Sequence, residues 1–544
     1  MLKVNIVTLS KTTLKMKNSS IYYLIFFFVL FSLGITNVSC QNKKNNAIVL
    51  PYDNLGKGKP RVVTPFDSTL VIDFYKKYPE LAQYKKQAIL IYQQQKYNYI
   101  WYDGNGIQET AAVIWNKINN INDEGVVISV PYKSIFDAKY SKKSTTPDIE
   151  LELGLTSYYL FYVDNVYKGI DVSKSRELGW YLPRNKPTYL NYLNSLLVDT
   201  KSEDIKYLLP QYYKLRDLLK QYRELEKKGG WNKIGVDSKF TVLKPGDTST
   251  SIPLIRTRLF LEGDLASDSK ISWYDEDLKI AILNFKSRTG FKPDADILPK
   301  HIAEMNIPIS DRIKTIMVNM ERCRWISNGL SNSEEFIVIN IPSFRFTFFK
   351  DKKPILISKV VVGKEINKTV VFSGMMSYIV FCPYWNVPNS ILRKEIYPAI
   401  RRNKKYLANH HMEWHNGGVR QKPGPNNSLG LIKFLFPNNN NIYLHDTPSK
   451  NLFKEETRAF SHGCIRLEKP VELANLILKD DPNWSPEKID QAMHTNVESW
   501  YTLKTKIPVY IGYFTAWVDG QGKINFYKDI YQNDNRLMEV LAKE

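Results

Sequence analysis

From Phe336 onward the chain is written in runs of Val, Ile and Phe bounded by Pro and Gly: "FIVINIP", "FRFTFFK", "PILISKVVVG" and "YIVFC". Runs of that kind suit the pleated, half-buried surface of a sheet, so the last part of the chain must fold as a mainly β domain. The residues before it follow a different period. "TAAVIWNKINNI" and "LPQYYKLRDLLKQYREL" space their apolar residues for one face of a helix. At 544 residues the chain is too long for one core, and 43% hydrophobic with 13% aromatic residues gives it ample apolar surface to bury. The fold class is therefore α+β and multidomain, helical first and mainly β last.

Local punctuation divides it further. Residues 41–67 are polar and carry Pro51, Gly56, Gly58, Pro60 and Pro65, which reads as a tether, with order expected near Ser68. A helical domain follows over 68–240, closed by Gly229 and Gly230. Residues 241–310 predict two short amphipathic helices in a small bundle, and 330–544 the β domain. There is no internal repeat. Asn438 to Asn441 is a low-complexity tract that reads as a turn entering the strand "IYLHD".

The N-terminus indicates export. "IYYLIFFFVLFSLGI", Ile21 to Ile35, is an apolar run preceded by Lys3, Lys11, Lys15 and Lys17 with no acidic residue. It is short for a membrane span and ends in "TNVSC", after which the chain turns polar. The pattern of residues 1–40 resembles a lipoprotein signal with Cys40 as the lipidated residue; plain cleavage near Cys40 and an uncleaved anchor are the other readings, and all three place the protein in the cell envelope. Met16 offers an alternative start. The formal charge of +21, from 76 Lys and Arg against 55 Asp and Glu, favours an anionic partner such as a wall polymer, a membrane surface or nucleic acid. The export signal and the lack of any RNA- or DNA-reading motif turn that choice away from nucleic acid.

Only 4 cysteines occur. With Cys40 lipidated, Cys323, Cys382 and Cys464 remain, an odd number that leaves at least one thiol free. No CxxC pair provides a thiolate zinc site, and "HHMEWH", His410 to His415, lacks the glutamate after its first histidine that a metalloprotease helix needs, so it reads as a surface segment. Cys323 and Cys382 read as buried small hydrophobes. Cys464 differs, because "RAFSHGCIRLEKP" sets it behind His462 and Gly463, 19 residues after His445 in "IYLHDTP". A free thiol is only a few per cent ionised near neutrality, so a nucleophilic cysteine needs a base; His445 and His462 are the candidates, and His445 is the proposed one because the neighbours of His462 suggest a loop role. Gly463 permits a tight turn that could aim successive N–H groups at an oxyanion. Arg466 could hold the loop or meet a substrate carboxylate. Asp446 either orients His445 or opens the turn at "DTP". Tyr384 and Trp385 in "PYWNVP" form either a substrate wall or a packed aromatic corner. Arg458 reads as a loop anchor, and Pro470 starts the helix "PVELANLIL".

Together "HDTP" and "RAFSHGCIRL" resemble the signature of the L,D-transpeptidases, whose catalytic domain is the YkuD-type β fold. "PYWNVPNSILRKEIYP", "SHGCIRLEKPVELA" and "PVYIGYFTAWVDGQGKINFYKDIYQND" resemble the large, multidomain branch of that family. "WYDGNGI" with "DIELELGLTSYYLFYVDNVYKG" is similar to its scaffold domain, and Leu243 to Pro308 to its peptidoglycan-binding domain, so the likeness runs from about Leu70 to Asp534. The resemblance implies Cys464 as nucleophile, His445 as base, and an oxyanion hole from the backbone at His462, Gly463 and Cys464, with Arg466 matching the motif's arginine. It implies acyl transfer from a tetrapeptide stem with loss of D-alanine and formation of a 3→3 crosslink. It further implies acylation by carbapenems, no metal or cofactor, and a capping subdomain at about 389–436 that carries the basic "RKEIYPAIRRNKK". Water as acceptor would make the protein an L,D-carboxypeptidase; a wall-peptide cysteine peptidase and a non-catalytic wall-binding scaffold are the competing readings. Two departures stand out: "KPDADILPKHI" lacks the Asp-Gly usual in peptidoglycan-binding modules, and Val370 replaces a proline in "NKTVVFSG".

Overall fold

The computed structural model of the protein describes residues 64–543 except 104, 185–187, 199–206, 237–239 and 327–332. The signal segment, Cys40 and most of the tether lie outside the described residues. The end of the tether belongs to the fold: Pro65 bridges Asn98, and the Phe66 ring packs edge-on against Tyr92, Tyr97 and Tyr99. Order thus begins before Ser68.

The N-terminal part is helical. Its central helix, α1 (Ile149–Tyr162), is apolar almost all round and correspondingly buried almost all round. Asp148 caps it by accepting the N–H groups of Glu150 and Leu151. The one carboxylate buried within it, Glu152, accepts the Ile100 and Trp101 amides and the Tyr92 hydroxyl, which ties the "IWYD" turn to the helix. After α2 (Pro210–Lys227), the small bundle has three helices rather than two, α3 (Ile252–Leu261), α4 (Glu276–Thr289) and α5 (Pro299–Met305), around a core of its own.

The segment between the small bundle and the β domain becomes α6 (Ile309–Arg324), which packs along α2. Its polar side chains lock the later domain in place. Asn319 exchanges hydrogen bonds with Thr515 (2.7 and 2.9 Å), and Arg322 pairs with Asp534 at 2.7 Å. Buried residues of the helical domain, of α6 and of the β domain consequently form one continuous core.

The β domain contains β1 (Glu335–Asn340), β2 (Arg345–Lys350), β3 (Lys353–Gly363) and β4 (Ser373–Phe381). The next strands, β5 (Trp385–Asn386), β6 (Met412–His415) and β7 (Gly418–Gln421), form a separate three-stranded sheet. Then come β8 (Ile432–Leu435), β9 (Leu444–His445), β10 (Ala459–Ser461), β11 (Ile465–Leu467), helix α7 (Pro470–Leu478) and β12 (Ser499–Gly512). The long strand β3 pairs β2 with its first half and β11 with its second, so the ladder β3-β11-β9-β8-β4-β12-β1-β2 closes on itself. β10 adds a short parallel pairing to β3. Closure removes the open edges and fills the interior with Ile337, Phe346, Val360, Phe434, Leu444 and Ile465.

The capping subdomain is β5 to β7 plus short helices over Asn389–Asn409, with a small core of Val387, Ile391, Leu392, Ile396, Met412 and Val419. Its expected C-terminal limit of 436 is too late. β8 lies inside the barrel between β4 and β9, because Ile432 and Phe434 are fully buried in the main core.

Candidate active site

Strand register builds the site. Arg466 stands opposite Val361 on one side and His445 on the other; His445 stands opposite Lys433, Lys433 opposite Val380, and Val380 opposite Trp500. These six residues form one row across β3, β11, β9, β8, β4 and β12. Side chains alternate along a strand, so the row lies on the face opposite Leu444, Ile465 and Phe434, which fill the barrel. Two residues along, that same face takes Tyr443 and Cys464, which immediately precede β9 and β11. The sheet therefore brings Cys464, His445, Arg466, Lys433 and Tyr443 together. His445 and Cys464 were legible as a pair; Lys433 and Tyr443 were not, although period-2 spacing from His445 was signal enough for Tyr443.

Cys464 is half-buried, and its thiol donates to the Asn441 carbonyl at 3.5 Å, at the end of the asparagine turn. Burial pushes the thiol above its ordinary range; the Tyr443 hydroxyl and the cations Lys433 and Arg466 oppose that shift. His445 is buried. Its Nδ1 donates to the main-chain carbonyl of Asp446 at 2.5 Å, which leaves Nε2 as the acceptor of the neutral ring. Burial first, and then the Arg466 guanidinium, hold its pKa down to about 3, while the Asp446 and Leu429 carbonyls pull the other way. At rest the site holds a neutral thiol and a neutral imidazole, with no hydrogen bond between them.

Asp446 does not orient the histidine with its carboxylate. That group pairs with Lys450 at 2.5 Å and accepts the Leu431 amide at 3.0 Å; the carbonyl of Asp446 is the orienting atom. The loop amides also need correction. Gly463 sits at φ +119°, a conformation that a side chain would strain, and its N–H donates to Ser461 Oγ at 3.2 Å. The amides of His462 and Cys464 have no acceptor among the described residues. Ser461 in turn donates to the Cys464 carbonyl at 2.6 Å, and Thr369 Oγ1 to the Gly463 carbonyl at 2.9 Å, so the turn is held from both sides. The His462 ring leaves the loop altogether and meets Glu395 of the cap at 2.7 Å.

Of the expected aromatic wall, Trp385 packs against the core of the cap and Tyr384 carries the Arg420 guanidinium over its ring at 4.0 Å. Cys323 and Cys382 are buried, the latter donating to the Met493 carbonyl. Arg458 binds the Glu455 and Phe344 carbonyls, a loop anchor. His410 and His411 are exposed and His415 half-exposed at the surface of the cap. Among the described residues no group of three or more His, Cys, Asp or Glu side chains is placed to hold a metal ion, and no helix is long and apolar enough to cross a membrane.

Comparison with known proteins matches residues 334–507 to the L,D-transpeptidase catalytic domain (YkuD) and residues 86–227 to the scaffold domain. A Haemophilus influenzae protein described as "Putative L,D-transpeptidase" is 30% identical over 249 residues, which cover 42% of this chain and 50% of that protein. The chain thus spans about half the length of that curated relative. Among solved structures, an L,D-transpeptidase from Mycobacterium smegmatis is 13% identical with a TM-score of 0.19, over 33% of this chain and 58% of that one. One from Stackebrandtia nassauensis is 14% identical with a TM-score of 0.20, over 50% and 94%. The chain thus carries an L,D-transpeptidase (YkuD) catalytic domain over residues 334–507, preceded by a scaffold domain over residues 86–227.

Proposed function

We propose that the protein is a peptidoglycan L,D-transpeptidase that forms 3→3 crosslinks by acyl transfer through Cys464. The observation that carries this reading is the juxtaposition of a half-buried thiol and a buried, singly oriented imidazole on one face of adjacent strands, beside two loop amides without acceptors. In the first step Cys464 Sγ attacks the carbonyl at the L-centre of the third residue of a tetrapeptide stem, and Nε2 of His445 takes the thiol proton. The amides of His462 and Cys464 are free to bind the oxyanion. Collapse breaks the peptide bond and forms a thioester, with the imidazolium returning its proton to the departing D-alanine amine. An imidazolium that the site destabilises is a strong acid toward that amine. In the second step the side-chain amine at position three of another stem attacks the thioester, His445 takes its proton, and the thiol is regenerated as the amide forms. No metal or cofactor enters these steps.

The same reading places the protein in the cell envelope, anchored through Cys40, with stem peptides as donor and acceptor and carbapenems as acylating inhibitors. Its test is intact-mass analysis of residues 42–544, wild type and Cys464→Ala, after incubation with a carbapenem and separately with tetrapeptide muropeptides. The expected result is an adduct lost in Cys464→Ala, and a crosslinked dimer lacking one D-alanine. Tripeptide product alone would make the enzyme an L,D-carboxypeptidase. Folded protein that yields neither adduct nor product would refute the catalytic reading in favour of a wall-binding scaffold.

A further inference from the structure

The row that carries His445 also carries a cation for which the proposed chemistry has no assigned use. Lys433 sits directly opposite His445 on β8, between the ring of Tyr443, with Nζ 5.2 Å from its centroid, and that of Trp500, at 5.9 Å. The residue is half-buried, and burial holds its pKa down. Its Nζ has no hydrogen bond or ion pair to any described acceptor. The acidic groups that favour its charge are Glu498, whose carboxylate accepts the Tyr384 amide at 2.8 Å, and the Cys464 thiol. A partly desolvated ammonium gains most from an anion that arrives with the ligand. Beyond Lys433 the row ends at Trp500, a residue 57% exposed that offers an open apolar wall. Strands lie about 4.8 Å apart, so the Cys464 and Lys433 strands are separated by about 10 Å, a gap that one peptide residue and a lysine side chain bridge together.

Resting on the transpeptidase reading, we propose that Lys433 is a specificity-determining residue that receives a free carboxylate of the acyl donor beside the scissile carbonyl. Two groups on the residues joined by the scissile bond have that chemistry: the α-carboxylate of the terminal residue and the side-chain carboxylate at position three. The Lys433 ammonium faces either one across the row, while the Tyr443 and Trp500 rings keep it from folding back onto the sheet.

The experiment compares wild type, Lys433→Met and Lys433→Arg on three donors: the free tetrapeptide, one amidated at its terminal carboxylate, and one amidated at the position-three side chain. Alkylation of Cys464 by iodoacetamide is followed against pH in all three proteins, and thermal melting confirms that each is folded. Lys433→Met should lower kcat/KM for the free donor by roughly tenfold to a hundredfold through KM, the scale of a hydrogen bond to a charged group. Lys433→Arg should recover most of the loss. One amidated donor should already be poor with wild type and lose nothing further in Lys433→Met, and that donor identifies the carboxylate. Equal losses on all three donors, with the alkylation pKa of Cys464 displaced upward, would overturn the proposal in favour of an effect on the thiolate. Unchanged kinetics on the free donor would overturn it outright. Wild type without turnover of any donor would instead count against the transpeptidase reading, a separate outcome.

Discussion

Gly363, at the end of β3, carries no proposed chemistry, yet its replacement should damage both the fold and the site. A Cβ added there would stand 2.0 Å from the Asn367 carbonyl oxygen, 2.9 Å from the Thr369 nitrogen and 3.1 Å from Cα of Gly463. All three neighbours are backbone, so no side chain can swing aside. The first contact is about 1.4 Å short of ordinary van der Waals distance, and relieving it moves either the Asn367–Thr369 turn or the turn that presents Cys464. Both are tied to Gly363. Its N–H donates to Thr369 Oγ1, its carbonyl accepts the Tyr531 hydroxyl at 2.7 Å, and Thr369 holds the Gly463 carbonyl. A displacement of about 1 Å at a reacting group costs on the order of a hundredfold in rate, and overpacking costs about 1–3 kcal/mol of stability. Gly363→Ala should therefore fold with a melting temperature lowered by several degrees and acylate on the order of a hundredfold more slowly. The assay is the rate of carbapenem adduct formation by intact mass, read beside differential scanning fluorimetry. Wild-type acylation with an unchanged melting temperature would refute the idea that this stack of turns positions the nucleophile.

Asp446→Asn keeps an acceptor for the Leu431 amide and leaves the orienting carbonyl in place, so acylation should fall by less than about tenfold; a carboxylate acting as a triad member would cost about 10⁴. His445 takes up its proton only near pH 3 when folded, against 6.5 when unfolded, so the unfolded chain binds more protons between those values and stability falls as pH falls through that window. His445→Gln should flatten the slope of denaturant-measured stability between pH 6.5 and 4, and an unchanged slope would contradict a neutral buried imidazole. Glu395→Ala removes an exposed pair with His462 and should leave stability within about 1 kcal/mol. It should also speed alkylation of Cys464 by a bulky maleimide, if that contact holds the cap against the loop; an unchanged rate would show that it does not.

How much of this was legible depended on whether the partners are neighbours in the chain. The proposed nucleophile, its base and the need for glycine at 463 stand in two short stretches, because a turn that aims backbone and thiol together is built from consecutive residues. The wrong, open or missing assignments involve groups that meet through register or through the backbone. Asp446 reads equally as an orienter of His445 or as the opening of a turn, and the choice falls to Lys450, one turn on, which takes the carboxylate and leaves the carbonyl to orient the ring. The Gly463 amide looks free for an oxyanion, yet Ser461 reaches it. Lys433 lies in a stretch expected to belong to the cap, and only its pairing with His445 brings it to the site.

The order of helical and strand segments, the resemblance of the last domain to L,D-transpeptidases and the two side chains proposed for catalysis were all readable along the chain, since periodicity and contiguous motifs are local properties. Tertiary structure decided the rest. Closure of the barrel through the two halves of β3 set which residues share the row with His445. The packing of α6 along α2, with Asn319 and Arg322 reaching Thr515 and Asp534, joined two domains into one core. Those pairings join residues tens to hundreds of positions apart, and no local period encodes them; burial of apolar surface and the satisfaction of buried polar groups select them once the whole chain has collapsed.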